Sequence, residues 1–279
     1  MPIITFWSNS EKTIGQTVTA SVVATTMAME HNYKILLISA DIKNDSMEGC
    51  FGAQQSNKNI LKSIISAPQI SIDNGINGLI KMAKSNRITP EIIKDYTKII
   101  YKNRLEVLYS STNTEFTNEE QMEFLKNIIL NASKYYDYVI VDLEKGLKHL
   151  NTLNILEISD VVVLNTEQGT KTLESFFKTQ ELKNIINKHK FIWNICKYNP
   201  YSKYNIKNLT RTIWKKKTIY SLSYNTLIFE ASIEGDLPEM LLRLKTVKSD
   251  EESKKVLEDA KQIIQGIQFK QRELQMRMR

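Results

Sequence analysis

The chain has 279 residues, 42% of them hydrophobic and 25% charged. That length fits two domains of about 150 residues or one α/β unit of about 250, and nine Gly and five Pro exclude collagen-like or low-complexity architecture. Two distant cysteines and three scattered histidines (His31, His149, His189) exclude a disulfide scaffold and the common zinc patterns, while 38 basic against 31 acidic residues leave a net charge of +7 that matters only where it clusters.

In chain order, the first predicted strand, Ile3–Trp7, leads through a turn into a helix over Thr17–Glu30. A second strand follows at Lys34–Ser39. Residues 56–102 read as a helical insertion with helices at Ile60–Ser66, Ile76–Ser85 and Pro90–Tyr101 and no strand among them. Beyond it come strands Leu105–Tyr109, Tyr138–Asp142, Val161–Asn165, Lys190–Ile195 and Thr218–Leu222. Helices Asn118–Lys134, Thr170–Ile186 and Glu251–Ile267 lie between and after them. Most strands are continuous apolar runs, the signature of strands covered on both faces, and strand–helix alternation implies βαβ units. The expectation is one doubly wound, mostly parallel α/β domain over 1–268, followed by a basic tail at 269–279. No run approaches the roughly 18 apolar residues of a membrane span, and Met1–Trp7 carries no signal-peptide pattern, so a soluble, cytoplasmic chain is expected.

The first strand–turn–helix is the chemically suggestive segment. A strand feeding a helix N-terminus can hold a phosphate on backbone N–H groups and the helix dipole. Laid on the template G-x-x-x-x-G-K-[ST], Ser10 takes the first glycine, Gly15 the second, Gln16 the lysine and Thr17 the magnesium-binding hydroxyl. Two of four positions match, so an ordinary βα turn stays open on these residues alone.

Several blocks together resemble the ParA/MinD superfamily of deviant P-loop ATPases. Glu11–Val18 stands where that family has K-G-G-x-G-K-T-T. K-I-L-L-I-S-A-D places Ser39 and Asp41 at the two Asp positions of V-L-L-I-D-A-D. Y-D-Y-V-I-V-D-L-E-K-G (Tyr136–Gly146) is similar to the Walker B segment and puts Asp142 at the metal-side carboxylate. Ser159–Gln168 looks like the A-D-x-V-L-x-V-x-x-P-E strand, and F-I-W-N brings Asn194 to a position the family uses near the adenine. Tyr220–Gly235 resembles I-P-Y-D-x-x-x-x-E-A-x-x-x-G, and its character is close to TadZ/CpaE-like pilus assembly proteins. The resemblance spans about residues 1–245 in family order. It implies a P-loop NTPase fold, nucleotide contacts at Lys12, Gly15, Gln16, Thr17, Val18 and Asn194, and magnesium contacts at Thr17, Asp41 and Asp142. It also implies a homodimer and work on protein components of a pilus or secretion machine, with recruitment to the inner face of the membrane or the cell pole.

The departures fall on charge. Phosphoryl transfer rests on neutralising and positioning phosphates. Here the loop-lysine position is Gln16, the signature-lysine position is Glu11, and the first Asp of the second strand is Ser39. A degenerate Walker A loop with weak or absent ATP hydrolysis is expected, ATP and Mg2+ being bound weakly or not at all. Lys12, one position from the signature lysine, restores charge if the loop shifts by one residue; otherwise it is a solvated side chain. Asp142 has a structural alternative as a turn-capping residue.

The positive charge collects elsewhere. Residues 196–217 carry Lys197, Lys203, Lys207, Arg211, Lys215, Lys216 and Lys217 with no acid, interleaved with Tyr198, Tyr201, Tyr204 and Trp214. Lys203, Lys207 and Arg211 are spaced to form one helical stripe. A solvated helix, an acidic protein partner and a DNA backbone all fit this pattern. The DNA option would make the chain an active ParA-type partitioning ATPase. The tail, with Lys270, Arg272, Arg277 and Arg279, has a thin apolar face, which argues against peripheral membrane contact.

Overall fold

The computed structural model describes residues 1–10, 12–41, 46–52, 75–85, 87–110, 116–147, 150–169, 190–212, 218–246 and 251–277. Runs of β-branched and large aliphatic residues become the strands β1 (Ile3–Trp7), β2 (Ile35–Ala40), β4 (Leu105–Leu108), β5 (Tyr138–Leu143) and β6 (Val161–Thr166), in which every residue is buried. Full burial of consecutive side chains means that both faces of the sheet are covered. Strands β3 (Lys98–Tyr101), β7 (Phe191–Tyr198) and β8 (Ile219–Ser223) complete an eight-stranded sheet in the order β3-β4-β2-β5-β1-β6-β7-β8. All pairings are parallel except β3–β4. The doubly wound, mostly parallel α/β class expected from sequence is the class observed.

The helices are α1 (Gln16–Glu30), α2 (Ser46–Phe51), α3 (Ile76–Lys84), α4 (Pro90–Ile93), α5 (Asn118–Ala132), α6 (Leu150–Ile158), α7 (Ile206–Thr212), α8 (Thr226–Glu234), α9 (Leu237–Thr246) and α10 (Glu251–Arg277). Side chains alternate across the sheet. Ile3 and Trp7 of β1 join a core with α3, α5 and α6, whereas Ile4 and Phe6 join one with α1, α2, α8, α9 and α10. Each fully buried large apolar side chain contributes about 1.5–3 kcal/mol. On the second face α10 lies so close to β8 that a methyl on Gly266 would sit 2.3 Å from the end of the Tyr220 ring, which would have to move to admit any side chain there.

Three expectations are corrected. Pro90–Tyr101 is not one helix: α4 ends at Ile93, a 3-10 turn covers Lys94–Tyr96, and β3 follows, so the region between β2 and β4 does contain a strand. The physical reason is a tight turn in which Asn103 adopts φ 60° and the Arg104 N–H bonds the Tyr101 carbonyl at 2.9 Å, folding Lys98–Tyr101 back antiparallel on β4. Strand β7 runs on to Tyr198, past the expected end at Ile195. Helix α10 runs on through Arg277, past the expected end at Ile267. Helices α8 and α9 were not legible in the periodicity, and the expected helices Ile60–Ser66 and Thr170–Ile186 lie outside the described residues. Among the described residues no helix is long and apolar enough to cross a membrane.

Candidate functional site

The carboxyl ends of β2, β5 and β1 meet the N-terminus of α1 in the middle of the sheet. The chain leaves β1 towards β2 on one side, while β6 lies on the other, and such reversals open a crevice at the ends of parallel strands. Parallel register sets Asp142 beside both Phe6 and Ser39. The turn after β1 is shaped locally: the Ser8 hydroxyl accepts from the Ser10 N–H at 3.1 Å, and the Ser10 hydroxyl from Lys12 N–H at 3.3 Å. The turn after β5 is tied to it, with Gly146 N–H donating to the Ser8 carbonyl at 2.8 Å and the Trp7 indole to the Gly146 carbonyl at 3.1 Å.

Gly15 closes the loop in the left-handed region, φ 89°, where a residue with a Cβ is strained. As N-cap it has no side chain to satisfy the first N–H groups of α1, and no acidic residue stands in that first turn. Helix α5 differs: Thr117 and Glu120 form a complete capping box over its N-terminus. The start of α1 is therefore an electropositive end without its own side-chain cap, suited to an anion.

Gln16 occupies the loop-lysine position, yet its side chain turns inward. Its Nε2 donates to the Asp142 carboxylate at 2.7 Å and the Leu143 carbonyl at 2.8 Å, with the Phe6 carbonyl at 3.2 Å. An amide nitrogen has two hydrogens for these three acceptors, and the Gln16 Oε1 is buried without a partner. Reversing the amide would aim that oxygen at three acceptors, so the orientation is fixed. The residue is 2% exposed and committed to the sheet, not to the loop's outer surface.

Asp142 is 1% exposed. Burial raises its pKa from 3.8 to about 6; hydrogen bonds from Gln16 and Thr17 oppose that rise, and the nearby Asp41 carboxylate adds to it. Asp41 and Thr17 are themselves buried, at 8% and 7% exposed. Thr17 hydrogen-bonds the Asp142 carboxylate and the Asp41 carboxylate acts on it electrostatically; oxygen donors with such excess negative charge are of the kind that suits a small divalent cation. The expected magnesium-side residues thus come together. Ser39, 3% exposed, bonds the Ser110 hydroxyl at 3.2 Å and holds no water-positioning carboxylate.

The other wall of the loop is neutral and then basic. Asn194 lies inside β7, fully buried, not at the strand's end. Its Nδ2 donates to Asn165 Oδ1 at 2.9 Å, while its own Oδ1 has no partner. Cys196 contacts Asn165 Oδ1 at 3.3 Å and receives the Thr19 hydroxyl at 3.3 Å; burial pushes its thiol to about 12, so it stays protonated at neutral pH. Beside Gly15, Val18, Thr19, Lys197, Leu222, Tyr224, Asn225 and Phe229 line a mainly apolar pocket. Lys197 was part of the expected basic cluster but not of the expected site. Its place over Gly15 depends on a β-bulge that sequence does not reveal.

Lys12 is exposed and pairs with Glu167 at 3.5 Å. Glu11 and Lys215–Lys217 lie outside the described residues. The expected basic stripe holds only in part. Lys207 and Arg211 are exposed on α7, whereas Lys203 sits in the turn before it with its ammonium 5.1 Å from the Tyr204 ring.

Comparisons with known proteins agree with this fold. A family model described as AAA domain matches residues 1–194. An uncharacterized ATP-binding protein of Methanocaldococcus jannaschii is 30% identical over 147 residues, covering 50% of this chain and 54% of that protein, so the chain spans about half the length of this curated relative. Among solved structures, a ParA family ATPase from Chlorobium tepidum superposes with a TM-score of 0.66 at 15% identity, covering 93% of this chain and 98% of that one. MinD complexed with Mg-ADP from Pyrococcus horikoshii gives 0.63 at 14% identity, covering 96% and 98%. The chain belongs to the AAA-domain family and has the fold of the ParA/MinD ATPases.

Proposed function

We propose that the chain is a nucleotide-binding member of the ParA/MinD group that works as a dimeric localisation or scaffolding factor with weak or absent ATP hydrolysis. The observation that carries this reading is Gln16, whose amide is spent on Asp142 and two strand carbonyls where a hydrolytic loop would present a cation. Binding has support: the ATP-binding relative, the uncapped start of α1 behind Gly15, and the convergence of Thr17, Asp41 and Asp142. Bound MgATP would supply a phosphate chain and its metal. Backbone N–H groups of the first α1 turn would bind the phosphates, Thr17 and Asp142 would face the metal, and the apolar pocket at Tyr224 and Phe229 would exclude water from the rest of the ligand. The partner class, protein components of a Tad-type pilus or secretion machine, rests on the resemblance of Tyr220–Gly235 to TadZ/CpaE-like proteins.

Magnesium-dependent ATP turnover of the purified chain tests the reading. Turnover at background level with measurable MgATP binding is the expected result. Turnover that Thr17→Ala and Asp142→Ala both abolish overturns the scaffold assignment. A second reading, an active partitioning ATPase on DNA, is favoured only by the exposed Lys207 and Arg211 on one face of α7. Salt-dependent binding to random duplex that weakens when these two are neutralised would support it.

A further inference from the structure

Phosphate-holding loops combine backbone N–H groups with a cation, because charge-assisted contacts are the strong ones. Position 16 offers no cation, and Lys12 is already matched by Glu167. Among the described residues, Lys197 reaches the loop from the opposite wall and lies against Gly15. Between Ile195 and Tyr198 the pairing of β7 with β8 shifts register, and within that irregularity Lys197 adopts φ 51°. A lysine enters this left-handed region at a cost of about 1 kcal/mol or more, and such outliers persist where the surrounding structure holds them for a function.

The conformation has a direct geometric result. The Lys197 stem lies across Gly15, so close that a methyl on that glycine would stand 3.1 Å from Lys197 Cε and 3.3 Å from Cγ. Its backbone neighbours Cys196 and Tyr198 are buried, whereas Lys197 itself is exposed and makes no ion pair among the described residues. An uncompensated ammonium is thereby carried to the mouth of the uncapped α1 N-terminus, beside the pocket lined by Val18, Tyr224 and Phe229.

We infer that Lys197 is the cationic phosphate contact of this site, reaching a nucleotide from β7 in place of a lysine in the loop. The inference rests on the nucleotide reading above and deepens it. Titration calorimetry of MgATP and, separately, adenosine into the full chain tests it with Lys197→Met, which keeps the stem and removes the charge. MgATP affinity should fall about tenfold or more while adenosine affinity changes less than about twofold, and Lys197→Arg should recover most of the loss. Lys197→Gly removes the same charge while relieving the backbone, so a fall in stability of the Met variant does not blur the result. A loss that is absent, or equal for the two ligands, overturns the role of Lys197 and leaves the nucleotide site standing. A wild-type chain that binds neither ligand at millimolar concentration removes the nucleotide reading, and this inference with it.

Discussion

The two sides of Gly15 are built from opposite electrostatics. On the β2–β5 side, Asp41 and Asp142 gather buried negative charge, and a neutral amide, Gln16, donates to Asp142 at 2.7 Å. Across the loop, Asn165, Asn194 and Cys196 form a neutral buried wall ending in the exposed ammonium of Lys197. In a P-loop with a lysine at position 16, one residue's charge faces both metal-side acids and phosphates. Here that single role is divided: Gln16 keeps the hydrogen bonds and Lys197 keeps the charge. On the proposed reading, a neutral residue at position 16 does not empty the site of positive charge but places that charge away from Asp41 and Asp142.

The comparison breaks most visibly if Gln16 loses its amide. Gln16→Met fills the space yet leaves the Asp142 carboxylate and the Leu143 and Phe6 carbonyls short of a buried donor. A loss of about 2–4 kcal/mol in urea unfolding is expected; a loss under about 0.5 kcal/mol would mean that the amide does not hold this wall.

Asp142→Asn, measured in chelator, works in the other direction. The folded pKa of about 6 lies above the 3.8 of the unfolded chain. Between those values the folded protein keeps a proton that the unfolded chain has released, so wild-type stability falls as pH rises through that window and stays lower above it. The variant escapes this fall and should gain roughly 3 kcal/mol at pH 8, shrinking towards zero near pH 4.

Gly15→Ala should cost about 1–2 kcal/mol from the left-handed backbone, with any further loss coming from the Lys197 stem that the methyl would crowd. Combining it with Lys197→Gly should return part of that loss, because the two positions touch.

The smallest effect serves as a control outside the loop. Glu30, at the end of α1, meets Lys245 at 2.8 Å and Lys261 at 3.5 Å, and its hydrogen bond with Lys245 is the main cause holding its pKa below 4.5. Its contribution is present above pH 4.5 and lost as pH falls through the lower folded value. Glu30→Gln should therefore matter slightly at neutral pH and not at all in acid, on thermal melts at both pH values, with MgATP affinity unchanged.

The parallel strands were legible in sequence because consecutive burial leaves continuous apolar runs, as in Val161–Leu164. Thr17, Asp41 and Asp142 were singled out by the resemblance of their segments to family motifs, not by composition or periodicity. β3 escaped because four residues beside a helical period carry little signal of their own. Its one local mark, Asn103 at a position needing φ above zero, reads as a turn only once its partner strand is known. The inward turn of Gln16 depends on carbonyls of β1 and β5 that are remote in sequence. Lys197 depends on a register shift, which leaves no compositional trace.

Cys196 gives the molecule a gauge of its own. The thiol is shut beneath the β7 wall, next to the residue that crosses Gly15, and burial keeps it in its unreactive protonated form. Alkylation must then wait for that wall to open. In a Cys50→Ser background, the rate at which a maleimide reaches Cys196 becomes a clock for local opening. Anything that bridges the loop to β7 should slow that clock, without a label having to be engineered into the chain.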